Sequence, residues 1–286
     1  MKARVRKFKQ GIGFTLLRVA CLLGITFLFA LLIVIFAGGI EVISPSFFFE
    51  FPKEGMTKGG IFPAIVGTFL LSIGAIAFAL PLGILGAIYL REYAKERLAV
   101  RIIRIGVNNL AGVPSVVFGL FGLAVFVKFF GFGVSILSGV LTLGILILPI
   151  VIRATEEALV SVPDSFREAS FALGATNWQT VRNIVLPSAL PGILTGAILG
   201  VGRSAGETAP IMFTAATFYN RHLPSSIFDE VMALPYHIYA LMTEGTKPEF
   251  QMPIAYGTAM VLLLLVLLIN LIAIIIRYRA RKKRKW

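Results

Sequence analysis

The sequence predicts an all-α polytopic membrane protein with six transmembrane helices and both termini in the cytoplasm. Only 14% of its 286 residues are charged and 57% are hydrophobic, so the chain lacks the polar side chains that a soluble domain needs on its surface. Apolar runs long enough to cross a bilayer, which takes about 20 helical residues, recur along the chain. Because lipid offers the backbone no hydrogen-bond partner, these runs must be helices.

The apolar runs divide the single transmembrane domain, residues 1–286, into six predicted spans. The first follows the basic segment KARVRKFK and is longer than the roughly 7–15 residues of a secretory signal core, so it is predicted to be a membrane helix. The third contains polar groups and a kink near its cytoplasmic half, at Asn108, Asn109, Pro114 and Ser115. The polar groups either line a path or hydrogen-bond between helices. The spans cover residues 19–40, 61–90, 105–127, 136–152, 190–216 and 253–276, and the long connections cover 153–190 and 217–252.

Lysine and arginine are distributed unevenly between the two sides of this arrangement. Segments 1–18, 91–104, 153–190 and 277–286 share one side and hold 21 of the 27 basic residues. Basic residues collect in short cytoplasmic loops, so both termini are predicted to be cytoplasmic. We interpret the tail RYRARKKRKW as a topology anchor that touches anionic membrane lipid, and we expect no nucleic-acid partner. The two histidines are too isolated to predict a metal site.

The external connection, residues 217–252, contains the stretch IFDEVMALPYHIYALM. Apolar and polar residues alternate in this stretch at near-helical spacing. It is predicted to lie on the membrane surface or to fold over the external mouth of the protein. An ordinary capping loop is the alternative.

The long cytoplasmic connection has the signals of two short helices. The first is predicted to begin at PDS, residues 163–165, where the aspartate or the serine can cap it, and to end at Gly174. The second is predicted to begin at Thr176 or Asn177 and to be closed by Leu186-Pro187 before the membrane. Two exposed short helices with apolar residues left over indicate a docking surface for another protein. A loop that only packs on the spans is the alternative.

Two charges interrupt the fifth apolar run, in the stretch GVGRSAGETAP. Arg203 lies about 20 Å past the predicted membrane entry. A charge at such depth costs at least about 2.5–3.5 kcal/mol, so it needs protein or water around it and a partner, which Glu207 can be from one helical turn away. The pair either only neutralises itself and ties helices together, or it lines a path in which Arg203 offers a planar fork to an anion. Ser204 and Thr208 are the further candidate path residues.

Glycines repeat every four residues in the same run. This spacing lets helices approach closely and predicts a packed interface, which we place between subunits. The glycines are Gly192, Gly196, Gly200, Gly202 and Gly206.

A spaced motif in the long cytoplasmic connection resembles the EAA loop of ABC importer permeases. It consists of EAS at 168–170, three residues, Gly174, nine residues and IVLP at 184–187, with Ser170 in place of the second alanine. The resemblance implies that the loop docks into a groove of a cytoplasmic ATPase. It also implies the coupling residues, which are Glu168, Ala169, Gly174, Leu186 and Pro187. The chain has no GxxxxGK[ST] phosphate loop, so it is not expected to be an enzyme, and ATP hydrolysis is expected in a partner.

Three further stretches narrow the resemblance. REASFALGATNWQTV, PSALPGILTGAILGVGRSAGETAP and LAGVPSVVFGLFG are similar to the phosphate-uptake ABC permeases, and the ending from ALPYHIY onward looks like the PstA-type rather than the PstC-type subunits. The similarity runs from residue 61 to the C-terminus, with Gly202 and Ser204 standing where alanines are more usual. It implies the type I ABC importer permease fold, the inner membrane of a prokaryote, and phosphate transport past Arg203.

The resemblance also implies partners. These are a PstC-like paralogous permease, two copies of a PstB-like ATPase and an external PstS-like phosphate-binding protein. No cofactor is expected on this chain, because ATP is used by the ATPase. Arg221 either attracts the anion to the external mouth or is a plain surface charge. The alternative functions are a permease for sulfate or molybdate, an ion-driven secondary transporter, and a membrane scaffold or sensor that transports nothing.

Overall fold

The computed structural model describes residues 2–95, 98–220 and 222–282, with side chains described for residues 10–279 of those ranges. This part of the chain folds into helices and one short hairpin of β1 (Pro52–Lys53) and β2 (Lys58–Gly59). The helices are α1 (Lys2–Gly39), α2 (Pro45–Phe49), α3 (Phe62–Ile88), α4 (Leu98–Leu110), α5 (Ser115–Gly122), α6 (Ile136–Val160), α7 (Asp164–Ala172), α8 (Asn177–Thr180), α9 (Leu186–Gly206), α10 (Ala209–Thr214), α11 (Leu234–Thr243) and α12 (Pro248–Lys282).

Five helical stretches are long and apolar enough to cross a membrane by themselves. They are Gln10–Val42, Phe62–Tyr93, Ile136–Val160, Asn177–Gly206 and Pro248–Arg279. Large apolar side chains along α1 and the second half of α12 are exposed, which is the arrangement expected where lipid covers them. The structure is therefore that of a helical, multi-pass membrane protein.

The third predicted span is not one straight helix. α4 is followed by α5 and a π-helical turn, Leu123–Phe129, and the two arms are bent by 104°. Pro114 lies at the bend, where its ring fixes the backbone and removes an N–H that a continuous helix would use. Counting the bent pair as one span brings the total to six. Asn108 and Asn109 lie exposed on α4, before the bend.

The helix of the fifth span begins earlier than predicted. α8 continues through a π-helical turn, Val181–Val185, directly into α9. Leu186-Pro187 therefore does not close a separate helix, as expected from the sequence, but forms the first turn of α9. The π-helical turn immediately before Pro187 is a local adjustment of the kind that satisfies backbone groups around a proline. The segment between the fourth and fifth spans shortens to residues 161–176.

Three clusters of buried apolar residues hold the bundle together. The central cluster joins α3, α5, α6 and α10, with Leu143 and Ile147 fully buried. A second cluster, at the end that carries α7 and α8, joins α3, α6 and α9 around Leu159 and Val185. The third, at the opposite end, joins α2, α3, α11 and α12 around Leu234.

The connection predicted at 217–252 folds over the end of the bundle opposite α7. The N–H of Leu234 donates to Oγ1 of Thr68 in α3 at 2.8 Å. The N–H of Val231 donates to the carbonyl of Ala215 at 3.0 Å, so this part is extended and paired with the chain that follows α10. Within the amphipathic stretch only residues 234–242 are helical, as part of α11, and α12 begins at Pro248, earlier than predicted.

Candidate functional site

Arg203 and Glu207 lie where the helix of the fifth span is interrupted. Arg203 is in the last turn of α9, which ends at Gly206, and Glu207 is extended, with ψ of 129°. Nε of Arg203 donates to Oε1 of Glu207 at 3.2 Å. The spacing of the two charges predicted that both stand on one continuous helix. They instead form an ion pair across a helix break. The end of α9 also favours a cation, because the last carbonyls of a helix carry partial negative charge.

Most hydrogen-bond donors of the Arg203 guanidinium have no partner in the described part of the chain. The Arg203 side chain is 37% exposed, whereas that of Glu207 is 16% exposed. Of the guanidinium nitrogens, only Nε donates a hydrogen bond to a described residue, and that residue is Glu207. The two terminal nitrogens remain available, and two such N–H donors match two oxygens of an oxyanion.

Ser204 and Thr208 have different surroundings from Arg203. Ser204 is buried, and its Oγ donates to the carbonyl of Val201 at 3.0 Å. With Glu207 it lines a narrow crevice between α3, α6, α9, α10 and the start of α11. Thr208 is half-buried in the break before α10. Glu207 therefore both accepts from the guanidinium and lines the crevice.

The break lies inside the bundle and not at its end. Beyond it, α10 continues for six residues, which is about 9 Å of helix. α10 packs against α5 and α6, and Ala215 after it pairs with Val231 of the connection that covers the bundle. Glu207 lines the crevice together with Ala233 and Pro235, so the ion pair lies beside that covering segment.

The glycine stripe of α9 packs within the chain. A Cβ on Gly192 would lie 2.5 Å from Cβ of Ala158, and one on Gly196 would lie 2.5 Å from Cβ of Ala154. Both alanines belong to α6, so the close approach that the spacing predicted is made with a neighbouring span of this chain, where we expected a second subunit.

The glycines nearest the charges have three different surroundings. A Cβ on Gly200, which is buried, would lie 3.3 Å from Cδ1 of Ile76. A Cβ on Gly202 would lie 3.2 Å from Oδ1 of Asn270 in α12. A Cβ on Gly206 would meet no atom within 4 Å in the described ranges, so the helix packing predicted at Gly206 is not seen there.

Gly174 ends α7 in the way that its position predicted. Its φ of +81° lies in the left-handed region, which glycine enters without steric penalty. Its N–H donates to the carbonyl of Phe171 at 2.9 Å, and the N–H of Ala175 donates to that of Ser170 at 3.2 Å. These two bonds form a Schellman motif, which satisfies carbonyls that the helix end leaves free.

The starts of the two loop helices are capped differently. α8 has a capping box, in which Oγ1 of Thr176 accepts from the N–H of Gln179 and Oε1 of Gln179 accepts from the N–H of Thr176. α7 has no side-chain cap: the expectation that Asp164 or Ser165 caps it is wrong, because the cap position is held by the preceding Pro163. Asp164 instead accepts a hydrogen bond from Arg167 at 3.1 Å.

The predicted coupling residues fall on two parts of this segment. Glu168, Ala169 and Gly174 are exposed, and so is Leu173 beside them, whose side chain is 89% exposed. Trp178, at the start of α8, is 52% exposed. Leu186 and Pro187 are half-buried in the first turn of α9. The turn between α7 and α8 thus presents apolar side chains that no described part of the chain covers.

A charged cluster in this region was not predicted from the sequence. Arg167 is buried and forms a bidentate ion pair with Glu92, which lies 75 residues earlier in the chain. Hydrogen bonding to the Glu92 carboxylate, to which Arg167 donates, is the main cause that raises the pKa of Arg167 above its usual value. No local pattern could have revealed the pair, since only the packing of α7 beside the end of α3 brings the two residues together.

Two further expectations concern charge and metal. Arg221, considered as an attractor for anions, lies outside the described residues. Within the ranges that are described, no group of three or more His, Cys, Asp or Glu side chains could hold a metal ion.

Comparison with known proteins places this architecture in a family. Residues 79–285 match the model of the binding-protein-dependent transport system inner membrane component. The chain is 36% identical to phosphate transport system permease protein PstA 1 of Mycobacterium tuberculosis (strain ATCC 25618 / H37Rv), over 98% of this chain and 91% of that protein. It is 35% identical to the probable ABC transporter permease protein YqgI of Bacillus subtilis (strain 168), over 84% and 85% of the two chains.

Solved structures share the fold. A chain of the bacterial alginate ABC transporter, in complex with alginate pentasaccharide-bound periplasmic protein, superposes with a TM-score of 0.66 at 17% identity over 91% of each chain. A chain of the MetNI methionine ABC transporter in an inward facing conformation gives 0.63 at 19% identity, over 77% of this chain and 97% of that one. The predicted helical permease fold and the predicted family are confirmed: this chain belongs to the binding-protein-dependent transport system inner membrane components.

Proposed function

We propose that this chain is a membrane-spanning permease subunit of an ATP-driven phosphate importer. Relatives named phosphate transport system permease protein PstA, which match nearly its whole length, support this substrate. The chain would form the translocation path together with a PstC-like permease in the cytoplasmic, or inner, membrane of a prokaryote. A permease for another oxyanion, such as sulfate or molybdate, is the nearest alternative.

The observation that carries the proposal is the Arg203–Glu207 pair at the helix break. Only one donor of the guanidinium is used within the described residues, so two terminal nitrogens can hold two oxygens of phosphate. Glu207 neutralises the cation while the path is empty and keeps the anion from binding too tightly to leave. Because a break frees backbone groups and lets the two helix segments move separately, it suits a site that must open and close.

The energy for transport would enter through the segment between α6 and α9. Glu168, Gly174 and the exposed Leu173 form a surface that can sit in a groove of a PstB-like ATPase. Two ATPase copies would close on ATP, move this segment and open the path outward, and hydrolysis would reset it. A PstS-like protein would deliver phosphate from outside to the end covered by α11.

The test is transport by the reconstituted complex of this chain with the paralogous permease, the ATPase and the external binding protein. ATPase activity and uptake stimulated by the phosphate-loaded binding protein are expected. Stimulation by the sulfate-loaded but not the phosphate-loaded protein would contradict the proposal that phosphate is the substrate. Uptake that persists in vesicles without the ATPase would instead indicate a secondary transporter.

A further inference from the structure

Arg167 uses its whole guanidinium inside the protein. Its Nε and Nη2 donate to the two carboxylate oxygens of Glu92 at 3.2 and 2.8 Å. Nη1 donates to the carbonyl of Val162 at 2.8 Å and to Asp164, and Nη2 also donates to the carbonyl of Leu159 at 3.0 Å. The side chains of Arg167 and Glu92 are only 10% and 12% exposed. One buried group therefore holds four separate partners.

These partners belong to different elements. Glu92 lies in a π-helical turn, Tyr89–Tyr93, that extends α3, whereas Leu159 is in the last turn of α6. Arg167 itself is on α7, so its side chain ties the loop helix to two spans at once. A second bond, between the hydroxyls of Ser170 and Thr180 at 2.8 Å, ties α7 to α8 and so to the helix that continues into the fifth span.

The two faces of α7 have opposite surroundings. Arg167 and Ser170 are buried, whereas Glu168 and Phe171 are exposed. α7 packs mainly against α8 and the π-helical turn before α9, so the Arg167 side chain supplies its polar link to α3. One direct route from the exposed face of α7 to α3 therefore runs through this ion pair and the apolar contact of Phe166 with the nearby core.

The chemistry of the pair suits a link that must not slip. Arginine presents a planar fork that fits a carboxylate in one geometry, which a lysine ammonium cannot reproduce. Removing one partner of a buried pair leaves an uncompensated charge, so the two groups resist separation. A nearby pair, Arg104–Glu156, lacks these features: its atoms are 3.6 Å apart and the Arg104 side chain is 46% exposed.

We infer that Glu92 and Arg167 are positioning residues that make α7 and the adjoining end of α3 move as one body. Displacement of the segment between α6 and α9 then reaches the second span. This inference rests on the proposed function, because it requires an ATPase docked on the loop. It assigns a role to two residues that touch neither the anion nor the exposed docking face.

The first test compares Glu92→Gln with Glu156→Gln in the reconstituted complex. Glu92→Gln is expected to lower the anion moved per ATP hydrolysed by about fivefold or more, while basal ATPase activity and copurification of the ATPase stay unchanged. Glu156→Gln should leave the ratio unchanged. A merely structural defect would reduce the active fraction, and so lower transport and stimulated hydrolysis together without changing their ratio. An unchanged ratio in assembled Glu92→Gln complex overturns the inference.

The second test needs no change to the pair. Spin labels at Tyr93→Cys and Ser165→Cys, in a Cys21→Ser background, report the distance between the end of α3 and the start of α7. The inference expects the same distance in the nucleotide-free and the ATP-trapped complex, and a shift between the two states would refute it. If the unmodified complex moves sulfate instead of phosphate, the proposed function fails, and both tests are run with sulfate.

Discussion

Arg203 shows at the scale of one residue how an expensive charge is held in an apolar helix. It stands in the last turn of α9, beside the end of the helix, and its Nε is paired with Glu207. The pairing and the helix end both favour the cation, which lowers the cost of its depth. Its terminal nitrogens have no hydrogen-bond partner within the described residues, which is what the proposed binding of an anion requires.

Replacing Arg203 by lysine tests whether the fork matters or only the charge. We expect Arg203→Lys to insert and assemble normally but to transport phosphate about tenfold to a hundredfold less well, because hydrogen bonds to a charged group contribute about 1.5–3 kcal/mol each. Uptake into proteoliposomes measures the effect, with Arg18→Lys on the exposed α1 as the control. Unchanged uptake in Arg203→Lys would mean that the pair is structural.

His237 predicts a pH dependence of stability. It is 2% exposed, neither ring nitrogen has a hydrogen-bond partner in the described part of the chain, and burial lowers its pKa from 6.5 to about 4. Above pH 6.5 the ring is neutral in both folded and unfolded chains, but as the pH falls only the unfolded chain gains the proton. The contribution of His237 to stability is thus present above pH 6.5 and lost as the pH falls toward about 4.

The magnitude of this loss is at most about 1.4 kcal/mol per pH unit. We expect the melting temperature of the purified protein to fall less steeply with acidification in His237→Leu than in the unmodified chain. His222→Leu, which changes an exposed histidine, should leave the slope as it is. Equal slopes for all three proteins would show that His237 does not remain neutral in the fold.

At the scale of elements, α9 is shaped by its contact with α6. The two helices approach so closely at Gly192 and Gly196 that a Cβ on either would meet the Cβ of an alanine on α6 at 2.5 Å. This contact sets the position of the helix that carries Arg203, because α9 cannot move away from α6 without losing buried packing. The stripe of small residues therefore supports the site indirectly.

Gly196→Ala and Gly206→Ala form a matched pair for this contact. Both gain helix propensity, worth up to about 1 kcal/mol, but only Gly196→Ala adds a methyl group where the alanine of α6 leaves no room. We expect Gly196→Ala to be destabilised relative to Gly206→Ala by about 1–3 kcal/mol. Thermal unfolding in detergent gives the comparison, and equal melting temperatures would show that α6 and α9 adjust freely.

The whole molecule has two different ends. The end with α7 and α8 carries exposed apolar side chains. The opposite end is covered by the connection that contains α11. Since 21 of the 27 basic residues flank the spans on the side of α7, that end is expected in the cytoplasm.

Cysteine labelling tests this orientation. In a Cys21→Ser background, a cysteine at Ser226 should react with a membrane-impermeant maleimide in intact cells, whereas one at Ser165 should react only after the membrane is opened. Both positions are exposed, so access to the reagent and not burial decides the result. The reverse pattern would place the coupling segment outside and contradict the proposed docking of an ATPase.

Features that depend on neighbours along the chain were predictable from the amino-acid sequence. Runs of apolar residues specify helices that lipid can surround, and Gly174 and Thr176 specify the turn between α7 and α8 through local backbone and capping bonds. The charge pair in the fifth span could also be predicted, because a charge in lipid needs a partner and Glu207 lies four residues from Arg203.

Features that depend on which helix faces meet became visible in the folded chain. The tertiary structure placed a break between Arg203 and Glu207, since α10 packs against α5 and α6 and does not prolong α9. It turned the glycine stripe toward α6, and it joined Glu92 to Arg167 across 75 residues. Hydropathy and spacing state that a side chain must be covered or paired, but they do not name the partner, because distant contacts are set by the packing of the whole bundle.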